Sequence, residues 1–234
     1  NIRLVRGSHI VIPKLYDHDK CYFFQGTDGR IIFSIPYEYD FTLIGTTDTD
    51  HDDIKTKPTC SDAERDYLVN FASQYFAKEI SPKDVVWSYS GVRPLYDDGT
   101  EHAAAATRDY VLKLEHSAGS APLLNIFGGK ITTYRKLAEA AIAEIASFFP
   151  HLNAPWTANS SLPGGDFKVE DVAKLIEKLR ADFSFLTEIR AKRIIRAYGL
   201  NAWELLKGAA KLDDLGEQFG EFLTQREVEY LRKN

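Results

Sequence analysis

Methionine is absent from all 234 residues, position 1 included. That absence predicts a chain that is processed, or excised from a longer one. Only two cysteines occur, Cys21 and Cys60. They are too few for a disulfide framework or a cysteine zinc site, and they fit a reducing compartment. No apolar run approaches the roughly 20 residues that span a bilayer. The sequence as given does not open with the pattern of a secretory signal. Positive charge is not in excess: 29 Lys and Arg against 34 Asp and Glu leave −5. This argues against a global electrostatic footprint for nucleic acid. With 44% apolar and 27% charged residues the composition is that of a folded chain, not a disordered one. The length predicts one or two domains.

The first part reads as strands. Runs rich in β-branched and aromatic residues occur at His9 to Ile12, Cys21 to Phe24, Ile31 to Pro36 and Phe41 to Thr46. Thr27-Asp28-Gly29-Arg30 between the second and third is a hairpin signal. Ser61-Asp62-Ala63-Glu64 forms a capping box, and helical spacing predicts a covering helix over 62–78. Further strands are expected at 85–90, 110–115 and Leu123 to Phe127. After Gly128-Gly129 a helix over 131–149 carries the stripe Leu137, Ala141, Ile142, Ile145, Phe148 and Phe149. The Pro- and Gly-rich stretch Asn153 to Gly165 reads as a linker. Beyond it the pattern is helical, with stripes Val172, Leu175, Ile176, Leu179 and Ile189, Ile194, Ile195, Tyr198, the second closed by Gly199. Thr224 to Glu227 reads as a second capping box. The expected fold class is α+β: a mixed, mostly antiparallel sheet with a covering helix, plus a separate all-helical C-terminal domain.

Three places invite chemistry. In Phe127-Gly128-Gly129-Lys130-Ile131-Thr132 a strand runs into two glycines and then a helix. Glycine lets the backbone approach a ligand closely, and the amides of a helix's first turn bind anions. Lys130, Arg135 and Lys136 stand near this helix start with no acid before Glu139. That start tolerates its own charge best when a negative ligand sits there; a plain glycine turn with solvated lysines is the other reading. In Ser90-Gly91-Val92-Arg93-Pro94, the proline pushes Arg93 into extended backbone. Arg108, before the next strand, is a second arginine. Either the two clamp one phosphate, for which arginine is well shaped, or each pairs with a local acid such as Asp97 or Asp109. The acidic loop Asp48 to Asp53 begins like a calcium loop but has Asp53 and Thr59 where Gly and Glu are required, and reads as a solvated turn. His9 lies in a strand and is either structural or a base facing the same cavity. His18, His51, His102, His116 and His151 show no metal spacing. The basic side of the helix with Arg190, Lys192, Arg193 and Arg196 is a solvated face, or one that meets anionic lipid, a partner or nucleic acid.

Taken together, the motifs resemble a known family. Leu4-Val5-Arg6-Gly7-Ser8-His9-Ile10-Val11, Ile44-Gly45-Thr46-Thr47-Asp48, Tyr89 to Leu95, Thr107-Arg108-Asp109-Tyr110, Phe127 to Lys136, Trp156-Thr157-Ala158 and Leu162 to Gly165 occur in that order. They resemble the FAD-dependent, respiratory (aerobic-type) glycerol-3-phosphate dehydrogenases over nearly the whole chain. The Gly-x-Gly-x-x-Gly unit with which that family binds the ADP half of FAD is missing, and the family continues past residue 234. The resemblance therefore implies a C-terminal fragment. It holds a substrate-domain sheet (1–122), the last strand and helix of the FAD domain (123–150), a linker (151–165) and a truncated helical domain (166–234).

The resemblance also implies a reaction. A hydride passes from C2 of sn-glycerol 3-phosphate to flavin N5 and the C2 hydroxyl loses its proton, giving dihydroxyacetone phosphate. Electrons then go to quinone at the cytoplasmic face of the inner membrane. It places Gly128, Gly129, Lys130, Ile131 and Thr132 at the isoalloxazine. Arg93 and Lys130 face substrate oxygens, Arg108 meets the phosphate, and His9 matches a family position. The fragment alone is expected to be inactive, to retain no tightly bound FAD, and to self-associate through apolar surface left by missing neighbours. A helical module that docks on a membrane or partner, with no catalysis of its own, is the competing expectation. Nucleic acid is not expected as a partner.

Overall fold

The computed structural model describes residues 2–100 and 106–234; His102 lies outside them. The sheet grows around β1 (Ile2–Pro13), whose Val5, Ile10, Val11 and Ile12 are buried. A strand this apolar belongs in the centre of a sheet. The other strands are β2 (Tyr22–Gln25), β3 (Ile31–Tyr37), β4 (Phe41–Gly45), β5 (Thr49–Asp50) and β6 (Trp87–Tyr96). β6 runs along one edge of β1 from Ile2 to Val11. The other edge is shared: β4 pairs with His9–Pro13 and β5 with Val5–Arg6. Residues 46–48, between β4 and β5, thus form a break in a strand position opposite the middle of β1. β3 and β2 extend the sheet outward from β4. Every ladder among the described residues is antiparallel, so the expected mixed sheet is corrected. Tight turns, such as the one where Gly26 N–H donates to Arg30 O, reverse the chain between neighbours.

α1 (Asp62–Ser73) covers this sheet. Its capping box is formed as expected: the Ser61 hydroxyl accepts from Glu64 N–H and the Glu64 carboxylate accepts from Ser61 N–H. Leu68, Val69, Phe71 and Ala72 pack with Ile10, Ile12, Ile32 and Ile44. The helix stops short of the expected residue 78, and Tyr75 and Phe76 join an aromatic cluster around Phe24 instead.

β7 (Val111–Glu115) and β8 (Leu123–Phe127) form a separate antiparallel hairpin. α2 (Tyr134–Ile145) follows, entered through a 3₁₀ turn at Ile131–Thr133. None of its residues is fully buried, and Ile142 and Phe149 of the expected stripe are half exposed.

The chain divides into two compact units after Ala154. The second contains α3 (Val172–Asp182), α4 (Glu188–Tyr198), α5 (Ala202–Leu205), a short hairpin of β9 (Gln218–Phe219) and β10 (Leu223–Thr224), and α6 (Gln225–Lys233). The hairpin corrects the expectation of an all-helical unit; Gly220, at φ 77°, supplies the reversal. Leu179, Ile194, Ile195, Leu205 and Leu206 form the core. The Thr224–Glu227 capping box does not form. Glu227 is buried, and it accepts from Arg193 and Tyr198. A buried carboxylate needs charged partners, which outranks a helix cap. Arg190 donates to the Glu221 and Phe222 carbonyls and to Gln218. Two cations of the expected docking face are therefore engaged within the unit. Among the described residues no helix is long and apolar enough to cross a membrane.

Candidate functional site

The site is built across β1. Arg93 on β6 lies opposite Val5, two residues along from the Gly7–Gly91 pair. Its side chain passes over Gly7: a Cβ there would sit 2.5 Å from Arg93 Nη1 and 2.6 Å from Thr46 Oγ1. The guanidinium thus reaches the break between β4 and β5. Nη2 donates to Thr46 Oγ1 at 3.1 Å and Nη1 to Asp48 Oδ1 at 3.0 Å. Asp48 Oδ2 lies 2.9 Å from Arg108 Nη2. One carboxylate, 16% exposed, therefore pairs with both arginines. This corrects two expectations. The acid beside the arginines is Asp48, neither Asp97 nor Asp109, and the acidic loop is not simply a solvated turn. Asp50 pairs with Arg3, and His51 is buried against the Thr56 carbonyl.

The third wall is the strand-to-helix turn after β8. Gly128 and Gly129 have φ of 65° and 99°, a region that L side chains rarely adopt. A Cβ on Gly128 would also meet the Asp109 carbonyl at 3.3 Å. Lys130 follows in extended conformation, before the 3₁₀ turn that leads into α2. Arg93, Arg108, Gly128, Gly129 and Lys130, with Val92, Pro94 and Leu95, line one cleft of about 370 Å³. Residues far apart in sequence meet because β6 and the β7–β8 hairpin both lead to this place. Ile131, 88% exposed, and Thr132 do not line it. Nor does His9, whose ring stacks on Tyr89 at 4.9 Å and packs against Gly45. Its Nδ1 is buried with no hydrogen-bond partner among the described residues. Burial, and then the charge of Arg93, lower the imidazole to about 4, so it is neutral at pH 7.

Behind the arginines lies a network centred on buried Glu64. Its Oε1 accepts from the Ser8 and Thr47 hydroxyls, both at 2.8 Å, and its Oε2 from Arg6 at 2.9 Å and from Ser61. Thr47 Oγ1 also accepts from Ser8 N–H. The neighbours of Asp48 are therefore tied to both α1 and β1. Burial pushes the Glu64 carboxyl up, but the hydrogen bonds outweigh it and hold the group at about 2. Sequence reasoning found the Glu64 cap but not this second role, and it missed Gly7, Thr46 and Asp48 as parts of the site. The Ile44 to Asp48 and Leu4 to Val11 motifs were the only signals for them.

An antiparallel sheet, a glycine turn at a helix start and clustered arginines define a protein of mixed α and β structure with a cleft lined by cations. Comparison with known proteins narrows the class. Residues 1–135 match the family model for FAD dependent oxidoreductases, and the chain belongs to that family. It is 44% identical over 233 residues to a glycerol-3-phosphate dehydrogenase of Pseudomonas aeruginosa, covering all of this chain and 45% of that one. It is 40% identical to a D-erythritol 1-phosphate dehydrogenase of Brucella abortus, covering 99% of this chain and 46% of that one. Among solved structures it is similar to the glycerol-3-phosphate dehydrogenase of Bacillus halodurans in complex with FAD. The TM-score is 0.66 at 27% identity, covering 89% of this chain and 40% of that one. The chain spans about half the length of the curated relatives it matches.

Proposed function

We propose that this chain is the C-terminal-side portion of a flavoprotein that oxidises sn-glycerol 3-phosphate to dihydroxyacetone phosphate. The observation that carries this reading is the cleft, where two arginines, a lysine and a glycine turn meet. The names of the relatives support it. In this reading residues 1–122 belong to a substrate domain, 123–150 to the FAD domain, 151–165 to a linker and 166–234 to a helical C-terminal domain. The resemblance extends it to quinone as electron acceptor at a membrane surface.

FAD fits the residues present. Gly128 and Gly129 expose backbone where any Cβ would intrude or strain, and the turn into α2 carries no acid. Gly128 to Thr132 would hold the isoalloxazine edge, with amides facing its negative charge. FAD, when bound, supplies the acceptor for the hydride leaving C2. The chain's own residues bind and polarise the substrate. Arg108 meets the phosphate, while Arg93 and Lys130 face the remaining oxygens and stabilise negative charge on the C2 oxygen as its proton passes to solvent in the open cleft. Each charge-assisted contact contributes about 1.5–3 kcal/mol. His9, neutral at pH 7, has the protonation state a base requires. Its place outside the cleft lining, stacked on Tyr89, argues against that role.

The test uses the full-length protein, mixed anaerobically with sn-glycerol 3-phosphate, D-erythritol 1-phosphate or glycerol. Loss of the oxidised flavin absorbance with sn-glycerol 3-phosphate, faster than with the other two, is expected. No bleaching by it would overturn the reading. The chain as given is expected to bind no FAD tightly and to show no turnover.

Gly7→Ala provides a sharper probe. The new methyl takes the space of the Arg93 guanidinium, whose flexible tip can move aside, and also meets Thr46 Oγ1, whose short side chain has less room to yield. We expect kcat/KM to fall roughly 10–100-fold, the equivalent of about 1.4–2.7 kcal/mol, together with a drop in Tm from the Thr46 contact. Unchanged kinetics would show that Arg93 does not need this path.

A further inference from the structure

We propose that Asp48 is a positioning residue: it docks Arg93 and Arg108 side by side so that both can engage one phosphate ester, Arg108 at its phosphate and Arg93 at its remaining oxygens. The proposal rests on the reading of the cleft as a phosphate-ester site and adds to it the residue that orders the two cations. The geometry is that of a bridge, with Oδ1 taken by Arg93 at 3.0 Å and Oδ2 by Arg108 at 2.9 Å. Two guanidinium groups brought this close without an anion repel each other, and long side chains respond by splaying apart. A carboxylate between them removes the repulsion and fixes both forks.

Asp48 is suited to that task because it is not a loose surface acid. Loose exposed pairs contribute about 0–1 kcal/mol and fix little. Asp48 is only 16% exposed and follows directly on Thr47, which is fully enclosed between Ser8 and Glu64. Thr46, on the other side of Thr47, holds the second N–H of Arg93. Three consecutive residues in the break between β4 and β5 therefore form a seat for one guanidinium and an anchor for another.

The charge balance points the same way. Arg93, Arg108 and Lys130 line the cleft, and Asp48 pairs with the two arginines. Among the described residues these are three cations and one carboxylate, a net +2. A phosphate monoester carries about −1.5 to −2 near neutral pH, so the set matches a dianion. Without Asp48 the same cleft would hold a surplus of positive charge and two unordered side chains. Asp48 touches neither reacting atoms nor cofactor in this account. It acts through the arginines.

The experiment uses the full-length protein and Asp48→Asn, which keeps size and removes charge. Binding of inorganic phosphate is followed by calorimetry, and steady-state kinetics with sn-glycerol 3-phosphate are measured alongside. We expect phosphate Kd and substrate KM to rise at least tenfold together, with kcat falling as well because Arg93 also faces the C2 oxygen, and Asp48→Glu to recover most of the loss. A defect of folding alone would lower the active fraction, and so kcat, at unchanged KM. Unchanged or tighter phosphate binding in Asp48→Asn would overturn the proposal, because Asp48 would then be neutral or a competitor for the arginines. Loss of flavin from both variants would also overturn it, making the role structural. If wild type binds phosphate but does not oxidise sn-glycerol 3-phosphate, the functional reading fails, and the phosphate Kd of Asp48→Asn still decides the role of Asp48. Wild type that binds no phosphate overturns both.

Discussion

Arg93→Ala in the full-length protein is expected to lower kcat/KM for sn-glycerol 3-phosphate by about 10²–10³, equivalent to about 3–4 kcal/mol. The magnitude follows from two losses. One or two charge-assisted contacts to substrate disappear, each contributing about 1.5–3 kcal/mol. Asp48 also loses one of its two cations, and the cleft then carries less positive charge toward an anionic ligand. Arg93→Lys should recover little, because an ammonium on a flexible stem cannot hold Thr46, Asp48 and substrate together as a planar fork does. Steady-state kinetics on flavin-loaded protein provide the measurement. A kcat/KM within threefold of wild type would remove Arg93 from the site. Tm should change little, since Arg93 is partly exposed and packs over a glycine.

Glu64→Gln should have the opposite profile, a large effect on stability. The carboxylate holds five donor groups, and its folded-state value of about 2 lies below the ordinary 4.5. A depression of this size corresponds to about 3 kcal/mol at neutral pH. Because the folded value is the lower one, that stability is complete above about pH 4.5 and is lost as pH falls toward 2. We expect Glu64→Gln to lower Tm at pH 7 by roughly 6–12 °C, and the gap from wild type to close near pH 2–3. Thermal unfolding followed by circular dichroism across that range provides the check. A gap that stays constant with pH would mean that shape, not charge, carries the role of Glu64.

Local chemistry accounts for what the sequence disclosed. Ser61 and Glu64 stand three apart, so the start of α1 is written in adjacent residues. The same is true of the Asp28-Gly29 turn, of the Gly128-Gly129 turn, and of the stripe on α4 that Gly199 closes. What stayed hidden depends on pairing across distance. Asp48 and Arg93 are brought together only because β1 lies between their strands, and no local pattern states that β4 and β5 share one of its edges. The same cause misdirected the reading of Glu227. Its spacing from Thr224 imitates a cap, but Arg193 and Tyr198 on α4 claim it. The basic side of α4 likewise looked solvated because the loop that Arg190 meets lies some thirty residues downstream. The cations of the cleft were found from sequence because arginine beside proline, and lysine after paired glycines, are unusual in themselves; the anion that orders them was not, because acids in a loop are common.

A crystal structure of the full-length protein with FAD and sn-glycerol 3-phosphate, trapped under reducing conditions, decides whether this cleft is the substrate site. The phosphate is expected within hydrogen-bond distance of Arg108, with Arg93 or Lys130 engaging the remaining oxygens and the flavin ring edge against Gly128 to Thr132. A phosphate bound elsewhere, with Arg93 and Arg108 still closed on Asp48 alone, would contradict that expectation.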